Sequence, residues 1–202
     1  MTAVITPILE DDLAINLDGV LDHISDGAFF EMCRQNPDMR LEMTKEGNVI
    51  FMPPTGGETS GHNFDLILDF GAWVRKDGTG KGFESNALFI LPDGAKRSPD
   101  MSWIKLERWN ALPPEERKSF PHICPDFVLE LCSPTDSLKA VKTKMQEYIE
   151  NGVQLGWLID PQQKKVYIYQ PDKEVIELDR PASLSGEPLL NGFTLDLTRY
   201  FA

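Results

Sequence analysis

The sequence contains few cysteines and histidines. Only three of its 202 residues are cysteine (Cys33, Cys124 and Cys132), and they lack the paired spacing of structural zinc ligands. An odd number of cysteines excludes a complete disulfide framework and is typical of a reducing cytoplasmic setting. The three histidines are scattered, so a histidine-based metal site would have to be assembled entirely by the fold.

Long hydrophobic runs are also missing. No apolar segment approaches the roughly 20 residues needed to cross a bilayer. The first residues, MTAVITPILEDDLAINLDGV, lack the basic start and apolar core of a signal peptide. We therefore expect a protein without a membrane span, located in the cytoplasm. A hydrophobic share of 41% in 202 residues suits one globular domain with a sizeable core.

Basic residues are fewer than acidic residues. The chain has 20 lysines and arginines against 32 aspartates and glutamates, a formal net charge of −12. Proteins that grip nucleic-acid phosphates normally have a basic surface, so this balance argues against tight nonspecific DNA binding by a monomer. A homodimer that assembles a basic groove from Lys96, Arg97 and Lys105 would reconcile this balance with DNA binding.

The order of predicted elements indicates the α/β class, with an α+β mixed sheet flanked by helices rather than a regular β-α alternation. Residues 1–22 are predicted to form an N-terminal arm and residues 23–202 a single domain. A short capped helix is expected after Ser25. A hairpin is expected at Lys45-Glu46-Gly47, where glycine occupies the tight position of the turn.

A second helix is predicted to begin at Thr59 or Ser60 and to end at Asp77-Gly78. Its apolar residues recur at helical spacing. They are Phe64, Ile67, Leu68, Gly71 and Ala72.

The rest of the chain is predicted to supply most of the sheet. One strand is expected in FESNALFIL (83–91), a second at 100–104 and a third at 127–132. A helix over about 138–150 follows, with Gly152 at its end. Further strands are expected in GWLID, KVYIYQ and EVIELD.

Glu130 is the most unusual residue of the sequence, because it interrupts the apolar strand FVLELC (127–132). An ionised carboxylate in a buried strand costs several kcal/mol unless a cation or hydrogen bonds compensate it. Strand alternation places Glu130 on the same face as Val128 and Cys132. A charged or strongly donating group is therefore expected on that face, either a structural lysine or arginine or a functional cation.

Asp100 begins a neighbouring predicted strand directly after Pro99. Alone, it would be an ordinary strand-end aspartate. Together with Glu130 it forms a pair of carboxylates that could converge on one divalent ion. Hard oxygen ligands of this kind suit Mg²⁺ or Mn²⁺.

The helix over 138–150 offers two lysines to these acids. Lys142 and Lys144 lie on opposite borders of its apolar stripe, and either could bring its ammonium group to the sheet. A helical wheel does not choose between them. Lys139 points away from the stripe and is expected to be solvated.

Two segments, Ser98-Pro99-Asp100 and PDFVLELCSP (125–134), resemble the PD-(D/E)XK restriction-endonuclease-like superfamily. The resemblance is closer to its large Uma-type branch of endonucleases, long known as a domain of unknown function. It spans residues 25–170 in one unbroken order. The other matching positions are Leu41-Glu42, Met52-Pro53-Pro54, His62, Lys144, Tyr148, Asn151-Gly152-Val153, Trp157 and Asp160-Pro161.

The resemblance implies a restriction-endonuclease-like core and assigns roles to individual residues. Asp100 and Glu130 correspond to the metal-binding acids of a magnesium- or manganese-dependent site. Cys132 stands where the superfamily often has its lysine, so that any metal contact there would be through its backbone carbonyl. In this branch the lysine has moved to the helix, and the matching residue is Lys144, which resolves the choice against Lys142.

Two further residues match with weaker implications. Glu42 corresponds to an acid that reaches the same cluster. Tyr148 lies one turn after Lys144 and would position it or the substrate backbone, although it is equally well explained as a core aromatic. His62 and Asp160 are more simply explained as a helix start and a turn residue.

The implied activity is that of a metal-dependent endonuclease that hydrolyses phosphodiester bonds in DNA. The alternative is a noncatalytic binding or regulatory domain that keeps the nuclease fold, which the acidic composition favours. Hydrolysis of a smaller phosphate ester would use the same chemistry.

Overall fold

The computed structural model describes residues 14–15 and 24–201. Strand β1 (Ala14–Ile15) belongs to the predicted N-terminal arm, residues 1–22, and the rest of that arm lies outside the described residues. The division into an arm and a domain over 23–202 therefore stays a prediction. The mixed sheet and flanking helices described below confirm the predicted fold class.

The described elements follow one another in an order that alternates helices with groups of strands. They are α1 (Asp26–Gln35), β2 (Arg40–Met43), β3 (Val49–Met52), α2 (Gly57–Asp77), β4 (Gly80–Glu84), β5 (Phe89–Ile90), β6 (Lys96–Arg97), β7 (Met101–Lys105), α3 (Leu106–Ala111), β8 (Phe127–Leu131), α4 (Leu138–Glu150), β9 (Leu155–Asp160), β10 (Lys165–Tyr169), β11 (Ile176–Asp179), β12 (Ser183–Ser185) and β13 (Thr194–Asp196). Short 3-10 turns lie at Glu116–Lys118 and Thr198–Tyr200.

A six-stranded sheet forms the centre of the molecule, in the order β11-β10-β9-β8-β7-β4. Strands β8 and β9 run parallel, connected by α4, and the other neighbours run antiparallel. A second, five-stranded sheet has the order β1-β3-β2-β6-β5. Strands β12 and β13 form a separate hairpin.

Strand β8 is buried on both faces, as its apolar sequence predicts. Phe127, Leu129 and Leu131 pack into a core that includes residues of α2 and of the hairpin β12–β13. Val128 and Cys132 pack into a second core on the α4 side. The strand alternation inferred from the sequence is confirmed, and it leaves Glu130 facing α4.

The helix α4 approaches the sheet closely because β9 has a glycine beneath it. A Cβ atom on Gly156 would lie 2.6 Å from the Cε atom of Met145. Met145 and Tyr148 are both fully buried against the sheet. This close packing holds the side chains of α4 over the face of β8 that carries Glu130.

Two sequence predictions about local structure were wrong. FESNALFIL does not form one strand, because a turn at Ser85-Asn86 separates β4 from β5 and sends them to different sheets. Helix α2 begins at Gly57 rather than at Thr59 or Ser60. Its N-cap, Gly56, has no side chain, and so the usual capping signal is missing from the sequence.

The apolar periodicity of α2 marks its outer face. Phe64, Ile67 and Leu68 are exposed, whereas Leu66 and Phe70 are buried against the core. The residues from which the helix was predicted therefore do not pack against the core. In the part of the chain that the structure describes, no helix combines the length and hydrophobicity needed for a membrane span.

Replacing Phe127 by alanine is expected to destabilise the fold by roughly 3–5 kcal/mol, because a fully buried ring is lost. That ring packs against Phe70 and Trp157. Urea unfolding followed by tryptophan fluorescence measures the change. The exposed Val175→Ala should stay within about 0.5 kcal/mol of wild type, and equal stability of the two variants would contradict the packing of Phe127 in the core.

Candidate active site

Four elements bring polar side chains together at one pocket of ≈ 620 Å³. Strand β2 supplies Glu42, the residue directly before β7 is Asp100, β8 supplies Glu130 and α4 supplies Lys144. Tyr148 lies one turn after Lys144 on the same side of α4 and reaches Glu130. The structure thus brings together residues that are up to 106 positions apart in the sequence, Glu42 and Tyr148 being the outermost.

The start of α4 is fixed by local hydrogen bonds. The backbone N–H of Ser133 donates to Asp136 at 2.7 Å, which holds the turn after β8. The Ser137 hydroxyl then caps the helix by accepting from the N–H of Ala140. These contacts set where α4 begins and therefore which of its residues face the pocket.

The ammonium group of Lys144 lies between two carboxylates. Its Nζ atom is 2.9 Å from Oε1 of Glu42 and 2.8 Å from Oε1 of Glu130. Glu130 Oε1 also accepts a hydrogen bond of 3.0 Å from the Tyr148 hydroxyl. Burial opposes the charge on Lys144, but Glu130 and Glu42 outweigh it and raise the pKa of the ammonium above its ordinary value.

Glu42 is held by more donors than Glu130. It accepts from Lys144, from Arg97 at 3.1 Å and from the backbone N–H of Ser98 at 2.8 Å. Burial opposes its ionisation, but the charges of Lys144 and Arg97 outweigh that effect and lower the pKa of Glu42. Glu42 is therefore the firmly ionised acid of this cluster.

Glu130 is in the opposite situation. Burial raises its pKa to about 7, and the attraction of Lys144 only partly offsets that burial, while Asp100 and Glu42 add repulsion. Burial raises the pKa of Tyr148 well above its ordinary value, and Glu130 raises it further. Tyr148 therefore stays neutral and acts as a hydrogen-bond donor to Glu130.

Asp100 lies at the end of the pocket, next to β8. Its Oδ2 atom accepts a hydrogen bond of 2.8 Å from the N–H of Leu131. Burial raises its pKa, and this hydrogen bond together with the charge of Lys144 opposes the rise. Asp100, directly before β7, and Glu130, on β8, thus share one electrostatic environment.

The acids of this cluster outnumber its cations by two. The acids are Glu42, Asp100, Glu130 and Glu147, and the cations are Lys144 and Arg97. Arg40, Lys139 and Asp136 also line the pocket, so that the pocket as a whole has five acids and four cations. An excess of buried negative charge is unfavourable unless a further cation binds.

The donor atoms fit a divalent cation. Among the described residues, Glu130 Oε2 and Asp100 Oδ1 receive no hydrogen bond, whereas their other oxygens do. No group of three histidine, cysteine or acidic side chains in the described chain is arranged to hold a metal ion. Mg²⁺ requires no such group, because it commonly binds through one or two carboxylates and keeps several waters.

Cys132 is buried directly after the end of β8. Burial raises the pKa of its thiol, and nearby acids raise it further, so the thiol stays neutral and is unsuited to bind a metal as a thiolate. Its backbone N–H donates to the carbonyl of Ile159. A metal contact through the Cys132 carbonyl stays a prediction.

The other candidate residues lie away from the cluster of acids. The ammonium of Lys142 lies 3.7 Å from the ring centre of Tyr167, and so this lysine does not reach Glu130. His62 packs against the ring of Tyr200 and does not line the pocket. Lys139 is exposed, as predicted, yet it contributes to the pocket wall.

Sequence reasoning missed Arg97 and Glu147 as members of the site. The Arg97 guanidinium joins Glu42 to Glu147, at 3.1 and 2.5 Å respectively. Burial opposes its charge, but both carboxylates raise its pKa. The only sequence signal was the position of Arg97 immediately before Ser98-Pro99-Asp100.

The predicted basic groove of Lys96, Arg97 and Lys105 was wrong for Lys96 and Arg97, whereas Lys105 is half-exposed. Lys96 is buried and paired with Asp26 at 2.8 Å, and Arg97 is buried between two acids. These two cations stabilise the second sheet and the site from within. They are not available to contact a phosphate backbone.

Comparisons with known proteins agree on a nuclease-like chain. A family model described as "Uma2: Putative restriction endonuclease" matches residues 27–198. The chain is also similar to the crystal structure of "a putative nuclease belonging to DUF820" from Anabaena variabilis ATCC 29413. The identity is 26%, the TM-score is 0.67, and the match covers 80% of this chain and 89% of that chain. No curated protein matches.

The pKa of Glu130 makes stability depend on pH. Because it is raised to about 7 from 4.5, the folded state binds a proton more tightly than the unfolded state. The resulting stability is fully present below pH 4.5 and is lost as the pH rises through about 7.

In the metal-free protein, Glu130→Gln should therefore gain stability over wild type between pH 5 and pH 8, by an amount on the order of 2 kcal/mol. Urea unfolding in chelator at the two pH values measures this gain. The exposed Glu174→Gln is the control and should show no such trend. A difference between Glu130→Gln and wild type that does not change with pH would contradict the raised pKa.

Proposed function

The chain belongs to the Uma2 family of putative restriction endonucleases, and we propose that it is a metal-dependent endonuclease that hydrolyses phosphodiester bonds in DNA. Membership of this family implies a nucleic-acid substrate. The observation that supports the proposal best is the ammonium of Lys144, which lies between Glu42 and Glu130 in an open pocket that Asp100 also lines.

We assign Asp100 and Glu130 as the residues that hold Mg²⁺ or Mn²⁺. Each has one carboxylate oxygen fixed by the protein and one that accepts no hydrogen bond from the described chain. The Cys132 carbonyl is a further candidate ligand. When bound, the ion supplies Lewis-acid polarisation of the scissile phosphate and lowers the pKa of a coordinated water.

Lys144 supplies a fixed positive charge beside the proposed metal-binding acids. Its pKa is raised, so that it stays protonated at neutral pH and can donate hydrogen bonds to oxygens that gain charge in the transition state. Glu42 and Arg97 act on it as positioning residues, because Glu42 accepts from Lys144 while Arg97 holds Glu42. Such pre-organisation avoids a reorganisation cost during the reaction.

Tyr148 is a positioning residue for Glu130. Its hydroxyl donates to Glu130 Oε1, the same oxygen that contacts Lys144, and its ring is fully buried. The two donors on one oxygen orient the carboxylate so that Oε2 is left for other ligands. The two explanations offered by the sequence, core aromatic and site residue, are thus compatible.

A noncatalytic nucleic-acid-binding or regulatory domain is the second candidate function. The net charge of −12 favours it, because metal-site acids alone do not account for so large a surplus. The distinguishing property is turnover: a regulatory domain would bind metal or nucleic acid without cleaving it. We also propose a cytoplasmic location, in keeping with three free cysteines, and a homodimer.

Calorimetric titration tests the metal assignment. Wild type should bind Mg²⁺ and Mn²⁺, and Asp100→Asn and Glu130→Gln should each weaken binding by at least ~10-fold, since Mg²⁺ relies on only one or two carboxylates. Glu150→Gln, on the exposed side of α4, is the matched control and should bind like wild type. Equal affinity in all four proteins would refute the assignment.

Cleavage assays test the catalytic role of Lys144. With plasmid, single-stranded DNA and a small phosphodiester as substrates, Lys144→Met should lower kcat by ~10²-fold or more, as expected for loss of a transition-state donor. Lys142→Met, on the same helix, should retain activity because it contacts Tyr167 instead.

The pattern of cleavage separates the candidate functions. Cleavage of DNA that disappears in Lys144→Met supports the endonuclease. Metal binding without cleavage of any of the three substrates would favour the noncatalytic domain. Cleavage of the small ester alone would restrict the proposal to a smaller phosphodiester.

A further inference from the structure

The N-terminus of α2 opens onto the pocket of the candidate active site. Thr55 and Gly56, directly before the helix, line that pocket, and so does Thr59 in its first turn. Gly56 is the N-cap and has no side chain that could accept hydrogen bonds from the first N–H groups of the helix. The N–H of Ser60 donates to the carbonyl of Gly56. The N–H groups of residues 57–59 find no acceptor in the described part of the chain.

Thr59 adds a buried polar side chain to this end of the helix. The residue is only 6% exposed, and it lines the pocket. No hydrogen bond joins its hydroxyl to another residue that the structure describes. A buried hydroxyl without a partner lowers the stability of the folded state. The position of Thr59 in the pocket wall therefore indicates a partner that binds from the pocket.

Asn63 continues the same polar face one turn later. It lies four residues after Thr59, on the same side of α2, and it also lines the pocket. Its Oδ1 atom is buried and has no hydrogen-bond partner among the described residues. A half-turn of the amide places the NH₂ group there instead, so that Asn63 can offer either a donor or an acceptor to a ligand.

The electrostatics at this end of α2 favour an anion. The N-terminus is the positive end of the helix dipole, and N–H groups without acceptors point outward from it. Glu58, the acidic residue of the first turn, is exposed and does not line the pocket. The acids of the proposed metal site make their hydrogen bonds with other elements. The start of α2 is thus a second polar region of the same pocket.

We propose that the N-terminus of α2, with Thr59 and Asn63, binds a backbone phosphate that flanks the scissile phosphate of a nucleic-acid strand. The inference rests on the proposed nuclease function, in which Asp100 and Glu130 hold the metal ion for the scissile phosphate. The Thr59 hydroxyl and the free N–H groups donate to the oxygens of the flanking phosphate. Such contacts position a strand without reading its sequence. The preferred substrate is therefore a polynucleotide and not an isolated phosphodiester.

Steady-state kinetics with two substrates test this phosphate site. Thr59→Val removes the hydroxyl but keeps the shape of the side chain, and it should raise KM for a labelled oligonucleotide by ~10-fold, with a smaller change in kcat, since a charge-assisted hydrogen bond is lost. The KM for bis(4-nitrophenyl) phosphate should change far less, because this ester has no second phosphate. Thr59→Ser restores the hydroxyl and should recover most of the loss. Ser60→Ala, which removes an exposed hydroxyl outside the pocket wall, should behave like wild type.

Three kinetic results would overturn the phosphate site. An equal rise in KM for both substrates would indicate that Thr59→Val distorts the metal site. A loss of the same size in Thr59→Ser or Ser60→Ala would show that the hydroxyl of Thr59 is not the group that matters. An unchanged KM in Thr59→Val would show that no phosphate contacts it.

Urea unfolding separates ligand binding from a structural role. Because Thr59 and Asn63 have polar atoms without partners in the described chain, Thr59→Val and Asn63→Leu should not lower the midpoint of unfolding. Asn63→Leu should nevertheless raise KM for the oligonucleotide. Lowered midpoints with an unchanged KM would assign both residues to the stability of the fold and overturn the proposal.

The phosphate site and the proposed nuclease activity fail separately. If wild type cleaves the oligonucleotide and Thr59→Val has the same KM, only the phosphate site is refuted. If wild type cleaves nothing, fluorescence anisotropy of the labelled oligonucleotide in Mg²⁺ replaces KM, and Thr59→Val should weaken binding by ~10-fold. A wild-type protein that does not bind the oligonucleotide would overturn the phosphate site.

Discussion

The ammonium of Lys144 is held between carboxylates that come from two different sheets. Glu42 belongs to the five-stranded sheet and Glu130 to the six-stranded sheet, and α4 brings the lysine to both. Removing the lysine would leave two buried acids facing each other, which is far more costly than losing a surface ion pair. This contact therefore links the two sheets at the candidate site.

The charge balance around this contact distinguishes it from a purely structural ion pair. A structural network would be close to neutral, whereas here Lys144 and Arg97 are shared among three acids, with Glu42 contacting both cations. Glu42 receives most of the compensation and its pKa falls, while Glu130 receives less and its pKa rises to about 7. A carboxylic acid that lines a pocket and has a pKa near 7 is a recurrent property of functional sites. A bound cation would compensate this excess of negative charge.

The parts of this site that the sequence predicted are those in which a residue violates its local pattern. Glu130 stands out because every neighbour in its strand is apolar. Glu42 lies in an ordinary hairpin strand, and only the family resemblance singled it out. The choice between Lys142 and Lys144 depends on which border of α4 faces β8, which a helical wheel does not show and only the family resemblance indicated. In the sequence, nothing distinguishes Arg97 from an ordinary loop arginine, and only the folded structure shows its contacts with Glu42 and Glu147.

The fold was also predictable only in part, because a local sequence pattern does not show tertiary contacts. Periodicity identified the class of each long element, but it did not show which way an element faces. The spacing of Phe64, Ile67 and Leu68 correctly predicted a helix, although these residues are exposed and Leu66 and Phe70 make the contact with the core. Likewise, FESNALFIL has the composition of one strand, and only the turn at Ser85-Asn86 reveals two.

The net charge of the whole chain says little about how a phosphate would approach the site. At physiological ionic strength, exposed charges more than about 8 Å apart are largely screened from each other, so the groups around the pocket matter most. Arg40 and Lys139 line the same pocket as the proposed metal-binding acids. A divalent ion held by Asp100 and Glu130 would more than cancel the excess of one negative charge among the residues that line the pocket. An acidic protein can in this way present a phosphate-binding surface only when its metal is bound.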